Sequence, residues 1–516
     1  MKKLPVGIST FSKIREEGYC YADKTGFVSK LAEGGTYFFI SRPRRFGKSL
    51  FIDTLREAFS CNKKLFAGLA LENAWNWERP YPVIHISFGG GVLKDRAALD
   101  NGIFEKLREI TQSEQVKLEN TSTNGQFREL ILELHKKYHE KVVILIDEYD
   151  KPILDNITNP DAAREIREGL KNFYSVIKDS DAYVQFCLLT GVSKFSKVSL
   201  FSGLNNLQDI TLDARYGTLC GYTQSDIETV FAEHLPGVDL AELKRWYNGY
   251  CFDGESVYNP FDVLLYLDQR EFKNYWFETG TPTFLIDLLG RRQFLAPDLE
   301  KLVAGDALVG SFDVDQIEPE TLLFQTGYLT IKEKQQVGGA IMYELSFPNL
   351  EVKMSLTDHI LASLSGAPAT KDKMRHALYQ ALVRGEPDAF RPIFQSFFAS
   401  IPHDWYRKNE LAGYEGYYAS IFYCYFTALG LDVLAEDATN KGRLDMRVKL
   451  GKRIFIFEFK VVELVPEGNA LAQLQHRRYH EKYVNDGCEI FLIGVEFSKT
   501  DRNIVKYEWI RQSQKS

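Results

Sequence analysis

Tyr37-Phe-Phe-Ile-Ser41 runs into Arg42-Pro-Arg-Arg45 and then into Phe46-Gly47-Lys48-Ser49-Leu50. The apolar run reads as a buried strand, Leu50–Phe59 reads as a helix, and the loop between them ends at the helix N-terminus. Backbone N–H groups there face an anion, a lysine neutralises it, and a serine hydroxyl can ligate Mg²⁺. One position departs from the usual spacing: G-x-x-x-x-G-K-[ST] asks for glycine where this chain has Arg42.

Outward from that loop, Val142-Val-Ile-Leu-Ile-Asp147-Glu148 is a second apolar run, ending in two carboxylates. Acids at the C-terminal end of a parallel strand lie at the edge where such sheets bind ligands. Asp147 suits Mg²⁺, and Glu148 suits the orientation or deprotonation of an attacking water. Thr190, ending the run Tyr183–Thr190, is open to two readings, a γ-phosphate contact or a polar strand exit. The Arg42, Arg44 and Arg45 cluster has three: phosphate, nucleic acid or solvent. With Thr36–Ser41, Pro82–Phe88 and a short run at Asp209–Leu212, these segments alternate with helical stretches. They predict an α/β fold with a parallel sheet over residues 1–221.

Residues 222–365 predict a helical lid. Thr223–His234, Leu240–Tyr247 and Pro260–Leu267 read as helices, with Ser225, Asp226 and Asn259 as capping or turn residues. A winged-helix-like hairpin, Tyr328–Glu333 with Ala340–Ser346, turns at Gly338-Gly339. Ser365–Lys371 is small and turn-rich and reads as a linker to a third domain, residues 366–516. Its expected helices are Met374–Arg384, Asp388–Phe398, Tyr414–Leu429 and Asn469–Asn485, with a last strand at Glu489–Val495.

In that third domain, Gly442–Leu450 and Arg453–Val461 flank Gly451-Lys452, which suits a two-residue type II′ hairpin. Pairing Leu450 with Arg453 sets Asp445 opposite Glu458, and period-2 alternation puts Lys460 on the face of Glu458. Leu444, Met446, Val448, Phe455, Phe457 and Phe459 make the other face apolar. Directly opposed acids repel. Two readings follow: a hard-oxygen site for Mg²⁺ or Mn²⁺ with Lys460 aiding phosphoryl chemistry, or a charge cluster that Lys460 neutralises. Two basic groups flank it, Lys441, Arg443, Arg447, Lys449, Lys452 and Arg453, then His476, Arg477, Arg478 and Lys482, a phosphodiester-facing patch or solvated faces.

The chain has 516 residues, 45% of them hydrophobic, and a formal net charge of -7, which argues against a non-specific nucleic-acid coat. Its seven scattered cysteines form no C-x-x-C pair and point to the cytoplasm. No stretch is apolar enough for a signal peptide or a membrane span.

Ser41–Ser49, Asp147-Glu-Tyr-Asp-Lys-Pro152, Thr190–Ser196, Gly203–Ile210, Trp246–Tyr250 and Tyr258–Phe261 together resemble the bacterial AAA-ATPase-like family, in which the missing first glycine is usual. The C-terminal pattern resembles the PD-(D/E)XK nuclease superfamily. There Glu415 matches a helix-borne glutamate, Asp445, Glu458 and Lys460 the core, and Gln473 with Tyr479 the following helix. The resemblance implies a P-loop NTPase sheet with a restriction-endonuclease-like α/β domain behind it. Arg45, Phe46, Gly47, Lys48, Ser49, Leu50, Asp147 and Thr190 would bind ATP, with Ser49 and Asp147 on Mg²⁺. Glu148 would be catalytic there, as Asp445, Glu458 and Lys460 would be in the rear domain, where Glu415, Asp445 and Glu458 would hold metal. The expected activity is ATP hydrolysis coupled to a phosphodiesterase on nucleic acid, DNA before RNA. The alternative is an ATP-dependent switch whose rear domain only binds nucleic acid or a protein. P-loop ATPases often assemble, so the oligomeric state is open to a homo-oligomer with Arg215 as a trans-acting finger.

Overall fold

The computed structural model describes residues 1–194, 197–201, 206–277, 285, 296–305, 310, 318–364, 368–401, 415–439, 442–463 and 469–512. The chain falls into two compact units, Met1–Thr279 with Leu302–Asn349, and Gly280–Lys301 with Leu350–Ser516. Among the described residues no helix is long and apolar enough to cross a membrane.

In the first unit β1 (Tyr37–Ser41), β2 (Val83–Ser87), β3 (Val142–Asp147), β4 (Val184–Gly191) and β5 (Gln208–Asp209) form one parallel sheet, in the order β2-β3-β4-β1-β5. β1 and β3 are buried along their whole length, as continuous apolar runs require. β2 alternates instead, because it lies at the sheet edge. Parallel strands need crossovers, and the helices Arg96–Glu114, Thr123–Tyr138 and Pro160–Asp179 supply them. Asp95, Ser122 and Asn159 start those helices by accepting from the N–H groups of Ala98, Gly125 and Ala162. Each such cap contributes about 1 kcal/mol. The register sets Ser41 beside Gly191 and Ser87 beside Asp147, so the polar strand ends share one edge.

The helices beyond β5 fall close to expectation, at Gln224–Val230, Leu240–Tyr247 and Pro260–Gln269. Thr223, rather than Ser225, is the first cap, in a reciprocal box with Asp226, and Asn259 caps the third helix. β6 (Leu302–Gly305), β7 (Thr330–Val337) and β8 (Ala340–Ser346) form a small antiparallel sheet. Its hairpin pairs Val337 with Ala340 across Gly338-Gly339.

The second unit holds β9 (Asp432–Thr439), β10 (Gly442–Leu450), β11 (Arg453–Val462), β12 (Glu489–Ser498) and β13 (Asn503–Gln512), in the order β13-β12-β11-β10-β9. Only β11 and β12 run parallel. The helix Leu350–Leu364 belongs to this unit, where Leu361 joins the core with Phe394, Tyr418 and Phe457. Of the expected linker, residues 365–367 lie outside the described residues, and Pro368 already opens the helix Pro368–Arg384. The expected helix Asn469–Asn485 ends at Arg477, because Arg478 turns left-handed at φ 51 and a 3₁₀ segment, Tyr479–Asp486, follows. β9 and β13 were not expected. Both are edge strands, where charged residues interrupt the apolar alternation that marks a strand.

One sheet face packs on the helices Phe390–Ser400 and Glu415–Ala428, through Met446, Val448, Phe455, Phe457 and Phe459. The other packs Ile454, Ile456 and Leu492 under Leu474 of the helix Asn469–Arg477. Gly494 admits that helix, because a Cβ there would collide with the backbone of Leu471. Gly494→Ala is therefore expected to lower stability by roughly 1–3 kcal/mol. Thermal denaturation checks this, and an unchanged midpoint would mean the helix can ride outward without cost.

Candidate functional site

The strand β1 delivers Ser41 to the loop Arg42–Phe46, and Gly47, at φ 90, caps the helix Lys48–Phe59. Arg42 is 1% exposed and does not reach outward for phosphate. It donates to the carbonyls of Ser41 (2.9 Å), Thr211 (2.8 Å) and Tyr216 (3.1 Å) and lies 3.9 Å over the ring of Phe252. Arg44 and Arg45 are exposed, with Arg45 over Phe261. Of the three readings for this cluster, Arg42 takes none: it is a structural brace. Lys48 is buried and donates to the carbonyls of Arg42 (3.0 Å) and Pro43 (2.9 Å). Burial pushes its pKa down, against the pull of Asp147.

A cavity of about 490 Å³ opens over this loop, lined by Arg45, Phe46, Gly47, Lys48, Ser49, Leu50 and Glu148. Tyr222, Phe261 and Leu264 line it too; Phe261 ends the motif Tyr258–Phe261, while neither motif nor periodicity pointed to Tyr222 or Leu264 as cavity residues. Asp147 and Thr190 are outside that lining and hold each other, with the Thr190 hydroxyl donating to Asp147 Oδ1 at 2.5 Å. Glu148 sits left-handed at φ 55, its carboxylate beside Gly89. Burial and then Asp147 raise its pKa above the usual carboxylate range. Arg215 is mostly exposed and bound by Asp213.

In the second unit the hairpin ladder pairs Leu450 with Arg453 and continues to Met446 with Phe457, the register expected from the turn. There it stops. Asp445 turns its carboxylate inward, and Oδ2 accepts from the N–H of Phe459 at 2.7 Å. Glu458 is 1% exposed; Oε1 takes a hydrogen bond from Gln473, and Oε2 is buried with no hydrogen-bond partner among the described residues. Lys460 Nζ lies 3.7 Å from Glu458 and 3.4 Å from Glu415, which opens the helix Glu415–Ala428. Tyr479 is buried nearby, its pKa raised by burial and then by Glu458. Asp445, Glu458, Lys460, Glu415 and Gln473 thus meet in one place.

Comparison with known proteins agrees with this division. The profile described as "Predicted AAA-ATPase" matches residues 5–201, and that of the PD-(D/E)XK nuclease superfamily matches residues 413–507. A protein of Azotobacter chroococcum mcd 1, described as an uncharacterized protein in the vnfD 5′ region, is 54% identical over 507 residues, covering 98% of each chain. The chain belongs to the AAA-ATPase-like family, with a C-terminal PD-(D/E)XK domain.

In the PD-(D/E)XK domain the acids are under electrostatic strain. Burial raises the pKa of Asp445 and, with Asp445 as neighbour, that of Glu458. Burial works against the Lys460 charge, but Glu415 and Glu458 outweigh it and its pKa is raised. A buried carboxylate oxygen that no described residue satisfies, set among hard donors, fits Mg²⁺ or Mn²⁺. Among the described residues no three His, Cys, Asp or Glu side chains form a ready-made cage. The remaining coordination positions would therefore fall to water and phosphate oxygens.

The flanking basic groups are less free than their spacing suggested. Arg447 pairs with Asp432, Lys449 with Asp486, Arg453 with Glu489 and Arg478 with Glu481. Lys452, His476, Arg477 and Lys482 are exposed, while Lys441 lies outside the described residues. In the AAA-ATPase-like domain, motif residues 195, 196 and 203–205 also lie outside them. Asp150 and Ser193 fall within the motifs, whose spacing assigns them no role; Asp150 is fully buried and accepts from the Ser193 hydroxyl at 2.7 Å.

A carboxyl whose folded pKa is raised binds more protons folded than unfolded, so its destabilisation is absent below the unfolded pKa, grows as pH climbs from there to the raised value, and levels off above it. Without divalent cation, Glu458→Gln is therefore expected to gain stability over the parent as pH rises from about 5 to about 8. Mn²⁺ should stabilise the parent more at the upper end, because binding displaces protons. Thermal midpoints across pH check both, and a pH-independent difference would show that Glu458 ionises without strain.

Proposed function

We propose that the AAA-ATPase-like domain binds and hydrolyses ATP, and that the PD-(D/E)XK domain cleaves phosphodiester bonds in nucleic acid, DNA before RNA. The observation that carries the second half is Glu458, buried beside Asp445 and Lys460 with one oxygen that no described residue satisfies. A structural charge cluster would satisfy that oxygen within the protein, since a buried unpaired acceptor costs free energy.

In the front domain the N–H groups at the start of the helix Lys48–Phe59 would face the β- and γ-phosphates of ATP. Lys48 exchanges the Arg42 and Pro43 carbonyls for phosphate oxygens, trading neutral partners for charged ones. Ser49 and Asp147 would hold the accompanying Mg²⁺, and Thr190 keeps Asp147 oriented. Glu148, with its raised pKa, accepts a proton from the attacking water.

In the rear domain Asp445 and Glu458 would hold Mg²⁺ or Mn²⁺, joined by Glu415. When bound, the cation polarises the phosphate and lowers the pKa of a water. Gln473 keeps Glu458 in place, and Lys460 offers positive charge where the phosphate gains negative charge.

Lys48→Ala and Glu148→Gln are each expected to cut ATP turnover ~100-fold or more while leaving Mn²⁺-dependent plasmid nicking detectable. Asp445→Ala and Lys460→Ala should do the reverse. Cleavage by Asp445→Ala at the parent rate would sink the nuclease assignment. DNA binding that responds to ATP, without cleavage in Mg²⁺ or Mn²⁺, would turn the reading to a nucleotide switch.

A further inference from the structure

Glu148 holds a left-handed backbone, φ 55, which L-residues with long side chains rarely adopt. Such a conformation persists only where its surroundings over-determine it. The surroundings are Tyr149 and Asp150, and both grip the segment that leaves β4. Tyr149 N–H donates to the Thr190 carbonyl (3.0 Å), and its hydroxyl donates to the Ser193 carbonyl (3.1 Å). Asp150, fully buried, accepts from the N–H groups of Val192 (3.2 Å) and Ser193 (2.8 Å) and from the Ser193 hydroxyl (2.7 Å).

The grip is close-fitting. A Cβ on Gly191 would lie 2.5 Å from the Tyr149 ring and 2.7 Å from Asp150 Oδ1, so only glycine lets the two segments meet. The same Gly191 pairs with Ser41, and its carbonyl accepts the N–H of Arg42 at 3.1 Å, which begins the phosphate loop. One short segment, Thr190–Ser193, is therefore bonded on one side to the turn carrying Glu148 and on the other to the loop preceding Lys48.

We propose that Asp150 is a positioning residue: by clamping Val192 and Ser193 it holds Glu148 in its left-handed turn, with the carboxylate kept at the cavity that Lys48 lines. The catalytic consequence rests on the reading of Glu148 as the group that activates water; the clamp itself does not.

Asp150→Asn keeps the shape and loses a charged acceptor for two donors on Ser193. It is expected to lower kcat for ATP ~100-fold, the scale of a misplaced catalytic group. Affinity for a fluorescent non-hydrolysable ATP analogue should stay within about threefold, since Asp150 is not among the residues that line the cavity. Ser193→Ala should give a smaller loss, and the double variant no more than Asp150→Asn alone, as members of one unit are non-additive. A second cycle needs no activity. Glu148→Gly should raise the thermal midpoint of the parent by relieving the left-handed backbone, and should give little or no gain once Asp150→Asn has let the turn relax. If Asp150→Asn does not fold, Ser193→Ala takes its place in that cycle. Equal gains in both backgrounds, or parallel losses of analogue affinity and kcat, would overturn the proposal. If the parent turns over no ATP, the hydrolysis reading fails, while the stability cycle still decides the clamp.

Discussion

A carboxylate carried on a buried strand costs several kcal/mol unless its charge is answered, and both units are arranged around that cost. In the first, Asp147 is 3% exposed and is answered by the Thr190 hydroxyl, with the Lys48 ammonium pulling from the phosphate loop. In the second, Asp445 is answered by the Phe459 N–H, and Glu458 by Gln473 and Lys460. The difference lies in what is left over. Among the described residues Glu458 keeps a buried oxygen with no hydrogen-bond partner, and that unmet charge separates the second cluster from the first.

The two sheets meet the requirement differently. A parallel sheet levels its strand ends, so Ser41, Ser87, Asp147 and Gly191 fall along one edge and the acids come to the phosphate loop without special devices. The mixed sheet places its acids within strands instead. β11 is apolar at Ile454 and Ile456, where the helix Asn469–Arg477 covers it, and charged at Glu458 and Lys460 farther along the same face. Asp445 joins them because the hairpin gives up a ladder position there. Arg42 shows the same economy: a guanidinium stands where the usual spacing has glycine, and it is tolerated because three carbonyls and an aromatic face receive it.

Much of this was legible in the amino-acid sequence, and the misses have physical causes. The hairpin register followed from Gly451-Lys452, because a two-residue turn sets every opposed pair beyond it. It did not reveal that the ladder opens at Asp445, since a backbone N–H donates to a ladder carbonyl or to a carboxylate equally well on paper. The edge strands β9 and β13 were missed because half-exposed edges carry charge and blur the alternation. The basic clusters looked like a surface for phosphodiesters because Asp432, Asp486 and Glu489 stand elsewhere in the chain and reach them only through the fold.

What the sequence determined by itself is whatever depends on near neighbours along the chain. The strand–loop–helix around Lys48, the paired acids at Asp147 and Glu148, and the face shared by Glu458 and Lys460 follow from backbone periodicity and turn chemistry. What only the tertiary structure decided depends on partners far apart in the chain: Gln473 on Glu458, Glu415 on Lys460, and Asp150 on Ser193. The reason is the range of the forces involved. Periodicity is enforced by local sterics and hydrogen bonds, whereas desolvation, which shifts Asp445 and Glu458 and strands the Glu458 oxygen, exists only once distant segments have excluded water together.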